Sequence, residues 1–437
     1  MAEDGRSPTP AQLRVGLWEA LSLVGRNGQF ARLFGAQLIS YAGDWFATVA
    51  LLGLVEEMTG SAALTTLVLV SQMLSVAVFS PVGGHLADRL NRKRLMVAAD
   101  VLRIVLAAGY LLIDDRGDLW LAFVLTAGIA GLSAVFTPAS NAAVPNLVEP
   151  EDLPAANVLD GAAWGTMLAV GGALGGIVAA VFGRDAAFIG DAVSFALSAA
   201  LLIGIRRRFS EPAGHREHPG MREAIRETVR YARRDHRVLA LLTVKGGFGL
   251  GAGVIGLLPI LALQVFQAGD RGTGILWAFR GVGALVGPFL VRRQTRDLRS
   301  VLGAIGLSFA VYGVFYATVP LMTNLWAAAA LVLLAHLGGG AQWTLSTYGL
   351  QRIVPDWIRG RVFAFDFGLV TLTLACSILA GGWAADHFDP RAVMAVMAGV
   401  AVLYAVVWSV ATTPLRRRDP DFHPTLMAAS VRGEDSP

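Results

Sequence analysis

The sequence predicts an all-α polytopic membrane protein, with 12 transmembrane helices in two pseudo-symmetric six-helix bundles. Its composition, its apolar runs and the distribution of its basic residues all indicate this fold class. The chain of 437 residues is 55% hydrophobic and only 16% charged, with a mean hydropathy of +0.57. Because so few polar side chains cannot cover a water-soluble globule of this size, lipid is expected to cover much of the surface.

Twelve apolar runs are long enough, or nearly so, to cross a bilayer core of about 30 Å as helices. Their predicted limits are 34 to 55, 62 to 84, 95 to 113, 119 to 141, 156 to 182, 186 to 205, 239 to 266, 272 to 291, 301 to 319, 324 to 349, 362 to 385 and 392 to 413. They give a cytoplasmic N-terminal segment over 1–33, bundles over 34–205 and 239–413, a basic linker helix over 206–238, and a disordered cytoplasmic tail over 414–437.

Basic residues give the predicted orientation. The segments on the side of the N-terminus hold 29 of the 36 Lys and Arg residues, whereas the opposite side holds four. Because basic loops stay in the cytoplasm, both termini are expected there, in a cell (inner) membrane. The linker reads as an amphipathic helix on the inner membrane surface. Topology therefore accounts for the net charge of +4, and no nucleic-acid partner is expected.

An internal repeat supports the division into two bundles. Gly83 matches Gly287 at an offset of 204 positions, and the segment from Leu174 matches the segment from Ala380 at an offset of 206. The near-constant offset predicts two structural repeats of six spans, which is how secondary transporters build two alternative packings around a midplane site.

The sequence lacks the residues that disulfides, metal sites, nucleotide-binding sites and enzyme active sites would need. Cys376 is the only cysteine, so no intramolecular disulfide and no cysteine-based metal site is expected. The glycine runs follow no strand, and the sequence holds no nucleotide-binding P-loop. We expect no cofactor, no metal and no enzyme active site.

The loop between spans two and three carries Gly84-His-Leu-Ala-Asp88-Arg89-Leu-Asn-Arg92-Lys-Arg94. This segment resembles the signature of the major facilitator superfamily, which implies the major facilitator fold. In that family the carboxylate and the arginine at the positions of Asp88 and Arg92 help to latch the halves together on the cytoplasmic side. The alternative is that these charges only set topology and cap a helix.

Two further segments bear on the branch of the family. Asp100 and Arg103 lie three residues apart in span three, so they can pair with each other or extend the latch. The segments around Asp44, Asp100 and 354–362 resemble the drug–proton antiporter and siderophore-exporter branch. Span five carries Gly171, Gly172, Gly175 and Gly176, which resemble an antiporter motif, although close helix packing alone also favours glycine.

Two aspartates within spans are candidates for proton coupling, because a buried charge is costly unless paired or hydrated. Asp44 lies about midway along span one, where it can bind and release a proton as access alternates. The alternative is a static ion pair with Arg280 or Lys245. Asp191 lies nearer the outer end of span six, where a hydrogen-bonded role competes with proton coupling.

The substrate cavity is predicted from the remaining polar and aromatic residues within spans. Flat amphipathic compounds suit aromatic walls with adaptable hydrogen bonds and a few charges. The candidates are Trp45, Trp164, Lys245, Arg280, His336, Gln342, Trp343 and Ser346. Packing, or contact with lipid, is the alternative for several of them, and for His336 above all.

Together these features predict a monomeric secondary transporter, not an enzyme, that exports amphipathic small molecules such as drugs or siderophores in exchange for protons. The rival functions are an importer of a small polar solute, a lipid flippase, and a membrane sensor on the same scaffold. The sparse polar lining of the spans speaks against the importer.

Overall fold

The computed structural model describes residues 17–207, 221–295 and 297–418, and these ranges form helices joined by short turns. Twelve helical segments in them are long and apolar enough to cross a membrane. The predicted fold class, an all-α protein with 12 transmembrane helices, is therefore confirmed. The ends of the predicted N-terminal segment and tail, residues 1–16 and 419–437, and part of the linker, 208–220, lie outside the described residues.

The helices follow one another along the chain with few intervening residues. They are α1 (Leu17–Arg26), α2 (Gly28–Thr59), α3 (Ala62–Arg89), α4 (Arg92–Gly109), α5 (Leu119–Leu147), α6 (Leu153–Phe182), α7 (Arg184–Ile203), α8 (Met221–Arg234), α9 (His236–Gly251), α10 (Gly253–Ile260), α11 (Gly269–Leu290), α12 (Leu298–Thr318), α13 (Leu325–Ile353), α14 (Asp356–Ala385), α15 (Pro390–Ala411) and α16 (Thr413–Arg418).

Short polar side chains fix where several spans begin. Asn91 accepts a hydrogen bond from the Arg94 amide at the start of α4, and Asp297 and Asn324 cap α12 and α13 in the same way. Such caps satisfy amides that the first turn of a helix leaves without an intrahelical partner. At the end of α6 the chain reverses at Gly183, whose φ of +86° suits glycine.

Span seven is broken into α9 and α10 at Ala252. The hydroxyl of Ser377, on α14, accepts a hydrogen bond from the Gly253 amide at 2.9 Å and donates one to the Leu250 carbonyl at 2.5 Å. Irregular backbone at membrane depth persists only where protein groups replace its missing hydrogen bonds. One serine therefore stabilises the interruption.

The chain divides into two compact units. Unit 1 comprises residues 1–51 and 75–214, and unit 2 comprises residues 52–74 and 215–437. The last turns of α2 and the first part of α3 thus belong to unit 2. Within unit 2, the carboxylate of Asp386 accepts hydrogen bonds from the Ser61 hydroxyl at 2.8 Å and the Ala62 amide at 2.5 Å, which caps α3.

Candidate functional sites in the two units

Unit 1 holds a buried ion pair on α4. Asp100 and Arg103, 0% and 1% exposed, pair at 2.5 Å across one helical turn. The Ser198 hydroxyl donates to the other Asp100 oxygen at 2.7 Å, and Arg103 donates to the Ser40 hydroxyl at 3.0 Å. The guanidinium also lies between the rings of Phe136 and Phe195, at 4.7 and 4.6 Å from their centroids. These contacts hold the Arg103 charge in one place beside α2 and α7.

Two further carboxylates adjoin this pair. Asp191, on α7, interacts electrostatically with both Asp44 and Arg103, and Asp44 interacts with Arg103 and Asp100. Asp191 is fully buried, and neither of its carboxylate oxygens accepts a hydrogen bond from the described residues. The adjacent Ser194 hydroxyl donates to the main-chain carbonyl of Asp191 instead, at 2.7 Å. The structure thus brings the two predicted proton-coupling residues into one electrostatic cluster.

Gly43 makes this approach of α7 to α2 possible. A Cβ atom at Gly43 would lie 1.9 Å from the Ser194 Oγ atom and 2.7 Å from an Asp191 carboxylate oxygen. Both distances are shorter than van der Waals contact allows, so only glycine fits. The Asp191 carboxyl group therefore lies directly against the turn that carries Asp44.

The glycines of α6 lie against α2 as well. A Cβ atom at Gly171 would lie 2.9 Å from the Ala42 carbonyl oxygen, and one at Gly175 would lie 2.8 Å from the Phe46 Cα atom. Gly172 and Gly176 are buried in the same helix. These contacts account for the small side chains by close packing of two helix backbones.

The residues of the predicted latch that the structure describes lie in the last turns of α3 and on α4. Arg92 donates to the carbonyls of Ala87 at 3.2 Å and Ala142 at 2.8 Å, which ties the start of α4 to α5 within unit 1. Gly84 lies within α3, and Arg89, at its end, is exposed. The side chain of Asp88 lies outside the described part of the structure, so its predicted role in the latch stays a prediction.

Unit 2 holds a second buried ion pair, between Lys245 on α9 and Asp366 on α14. The Lys245 ammonium also donates to the Thr347 hydroxyl at 3.0 Å and lies 4.8 Å from the centroid of the Trp343 ring. Lys245 and Asp366 are 3% and 2% exposed, whereas Trp343 is 38% exposed. Lys245, predicted as a cavity residue or as an ion-pair partner of Asp44, thus has a carboxylate partner in its own unit.

A third buried cluster, also in unit 2, surrounds His336 on α13. The Arg280 Nε atom, on α11, donates to the His336 Nε2 atom at 3.1 Å, and the guanidinium lies 4.7 Å from the centroid of the Trp277 ring. On the other side, the Tyr316 hydroxyl lies 3.2 Å from the His336 Nδ1 atom. His336 and Arg280, predicted as separate cavity residues, therefore bind each other.

The other predicted cavity residues differ in exposure. Trp164 is 50% exposed and Trp45 is half-buried. Gln342 and Ser346 are fully buried: the Ser346 hydroxyl donates to the Trp343 carbonyl at 3.0 Å, and the Gln342 amide has no hydrogen-bond partner among the described residues. A buried amide of this kind is rare, and it leaves the Gln342 side chain with unused hydrogen-bonding capacity.

Some residues of these clusters were not identified from the sequence, among them Asp366, Tyr312 and Tyr316. Asp366 follows Arg361 by only five positions, but an aspartate inside an apolar run is a signal that could have identified it. Tyr312 and Tyr316, whose rings make edge-to-face contacts with each other and with His336, gave no such signal, because tyrosines are common in membrane spans.

Comparison with known proteins places this architecture in a family. The model of a family described as transmembrane secretion effector matches residues 23–431, which is nearly the whole chain. The chain belongs to this family of major facilitator transporters. The transporter is 26% identical to the MFS-type transporter YfiS of Bacillus subtilis, over 81% of the chain and 86% of that protein.

Two other relatives of this transporter have names that state a cargo or a direction. It is 21% identical to the staphyloferrin A transporter of Staphylococcus aureus, over 79% of the chain and 88% of that protein. It is 26% identical to the multidrug efflux pump Tap of Mycobacterium bovis, over 77% and 82%. A solved bacterial homologue of the lysosomal transporter Spinster superposes with a TM-score of 0.70 at 14% identity, covering 90% of the chain and 98% of that structure, which shows the shared fold.

Proposed function

We propose that this transporter exports amphipathic small molecules in exchange for protons, and that Asp44 and Asp191 bind the coupling proton. The observation that supports the proposal is the cluster in unit 1, where Asp44, Asp191 and Asp100 all interact with the guanidinium of Arg103. Efflux by relatives such as the pump Tap supports the direction. In this proposal the proton binds in unit 1, and the transmembrane proton gradient drives export.

The arrangement explains why one of these carboxylates is suited to the task. Arg103 donates hydrogen bonds to Asp100 and Ser40 and lies between two aromatic rings, and among the described residues it donates none to the Asp191 carboxylate. An ionised carboxylate at membrane depth without a donor costs several kcal/mol, whereas a protonated one costs far less. A proton shared by Asp44 and Asp191 would neutralise one charge of the pair, and its release would restore the repulsion that favours the other state of the cycle.

The experiment uses everted membrane vesicles with an acidified lumen, so that protons leave the vesicle as the exported compound enters it. Uptake of a fluorescent amphipathic dye, or of a siderophore, is measured for the wild type and for Asp44→Asn and Asp191→Asn. Both variants are expected to lose at least about 90% of gradient-driven uptake, while facilitated equilibration without a gradient continues, because only coupling is removed. Asp185→Asn, an exposed aspartate on the same helix as Asp191, is the matched control and is expected to transport normally.

Two outcomes would overturn the proposal. If Asp44→Asn and Asp191→Asn both accumulate dye against its gradient at the wild-type rate, these residues do not bind the coupling proton. If vesicles accumulate neither dyes nor siderophores but move a fluorescent lipid analogue between leaflets, the protein is a lipid flippase.

A further inference from the structure

The hydrogen bonds around His336 indicate its protonation state and its tautomer. The Arg280 Nε atom carries a hydrogen and has no lone pair to offer, so its contact with the His336 Nε2 atom at 3.1 Å makes Nε2 the acceptor. On the other side of the ring, the Val332 carbonyl lies 3.3 Å from Nδ1, and a carbonyl oxygen can only accept. Nδ1 therefore carries the single ring proton, and this arrangement exists only while the imidazole is neutral.

We infer that His336 is a second proton-binding site, located in unit 2, whose protonation expels Arg280 from its present position. A proton added to the imidazole must go to Nε2, the atom that accepts from Arg280. That would set an N–H group of a cation against an N–H group of a second cation in a buried site. The contact and the added proton are therefore mutually exclusive. This site is additional to the proposed pair of Asp44 and Asp191, and its existence does not depend on the direction of transport.

The groups that pack around His336 leave Arg280 as its charged neighbour. From α11 it faces Arg280, and from α12 it faces the Tyr316 hydroxyl group and the rings of Tyr312 and Tyr316, each 5.5 Å from the imidazole. α9, which also packs on α13, carries two charged residues. Arg237 pairs with Asp235 at the start of the helix, and Lys245 contacts Trp343 and Thr347, two to three turns further along α13 than His336. Among the described residues, Arg280 is therefore the charged group that a proton on His336 would chiefly repel.

Trp277 provides a built-in optical signal for this event. The Arg280 guanidinium lies over its indole ring at 4.7 Å, and Trp277 is 2% exposed. A cation on the face of an indole alters its electronic surroundings, so departure of the guanidinium should change the tryptophan emission. The change should follow proton binding at His336 without any substrate or gradient.

The test is a fluorescence titration of the purified full-length protein, from about pH 8 down to about pH 4, a range that extends about two pH units to the acid side of the ordinary imidazole value. The wild type is expected to show a step in tryptophan emission. His336→Gln, which can still accept from Arg280 but cannot take up a proton, is expected to lose that step. Trp277→Phe is expected to lose the same step because the reporter is gone, and Asp44→Asn is expected to keep it.

The outcomes separate this inference from the proposed function. A step that persists at full amplitude in His336→Gln would overturn it, and so would a wild-type protein without any step. If His336→Gln does not fold, Arg280→Gln serves instead, because it too removes the cation from the indole and should abolish the step. Loss of the step in Asp44→Asn would also contradict a separate site in unit 2. If Asp44→Asn loses transport but keeps the step, the result bears on the cluster in unit 1 and supports a separate site at His336.

Discussion

Gly43 has no side chain, and the Asp191 carboxyl group and the Ser194 hydroxyl occupy the space where one would begin. We predict that Gly43→Ala pushes α7 away from α2, lowers the free energy of unfolding by about 1 to 3 kcal/mol, and removes most proton-driven export. Thermal unfolding in detergent and uptake by everted vesicles measure the two effects.

The control for this prediction is Gly161→Ala in α6, where a Cβ atom would meet nothing within 4 Å. That variant should retain transport and be at least as stable as the wild type, because alanine favours the helix. Wild-type transport by Gly43→Ala would show that close approach of Asp191 to α2 is not needed for coupling.

Lys245 and Asp366 neutralise each other in the interior of unit 2. Removing either one leaves the other as a buried, uncompensated charge, at a cost of roughly 3 to 5 kcal/mol. We predict that Lys245→Met and Asp366→Asn each lower the unfolding temperature strongly, and that the double variant recovers most of the loss.

A double-mutant cycle measured by thermal unfolding decides this point. Losses that add in the double variant would mean that the two charges are independent of each other. As a matched control, the exposed pair of Arg207 and Glu149 should show a coupling free energy below about 1 kcal/mol.

At the scale of helices, the break between α9 and α10 depends on a side chain from another helix. We predict that Ser377→Ala lowers the free energy of unfolding by about 1 to 3 kcal/mol, because the Leu250 carbonyl and the Gly253 amide lose their shared partner. Ser71→Ala is the matched control, since that hydroxyl only donates to the Leu67 carbonyl of its own helix. Equal unfolding temperatures for the two variants would mean that Ser377 does not support the break.

This break also shows where prediction from the sequence ends. Hydropathy predicts that residues 239 to 266 span the membrane, because apolar length is a local property. The interruption at Ala252 depends on Ser377, which lies 127 positions beyond Leu250, and no local pattern reports a contact at that distance. The pair of Asp100 and Arg103 could be predicted from its spacing of three. The partners of Lys245 and Arg280 could not, because they lie 121 and 56 positions away.

For the whole molecule, the two units carry different chemistry. Unit 1 sets three aspartates around one arginine, whereas unit 2 holds Lys245 with Asp366 and Arg280 with His336. A transporter that exchanges two ligands needs groups that respond differently to each of them. On this reasoning, the acidic cluster of unit 1 is suited to binding the proton, and the clusters of unit 2 that contain cations and aromatic rings are suited to binding a larger ligand. The proton proposed for His336 would be a second means of controlling the binding of that ligand.

The orientation in the membrane stays a prediction, and it decides which way a proton gradient drives the cycle. Because Cys376 is the only cysteine, Cys376→Ser yields a cysteine-free chain in which single cysteines can be placed. We predict that Asp114→Cys and Arg271→Cys react with a membrane-impermeant maleimide on intact cells, and that Glu151→Cys and Arg234→Cys react only after permeabilisation. All four positions are exposed, so access across the membrane is what differs between them. The reverse labelling pattern would place the basic loops outside the cell, against the rule that they remain in the cytoplasm, and the gradient would then drive import.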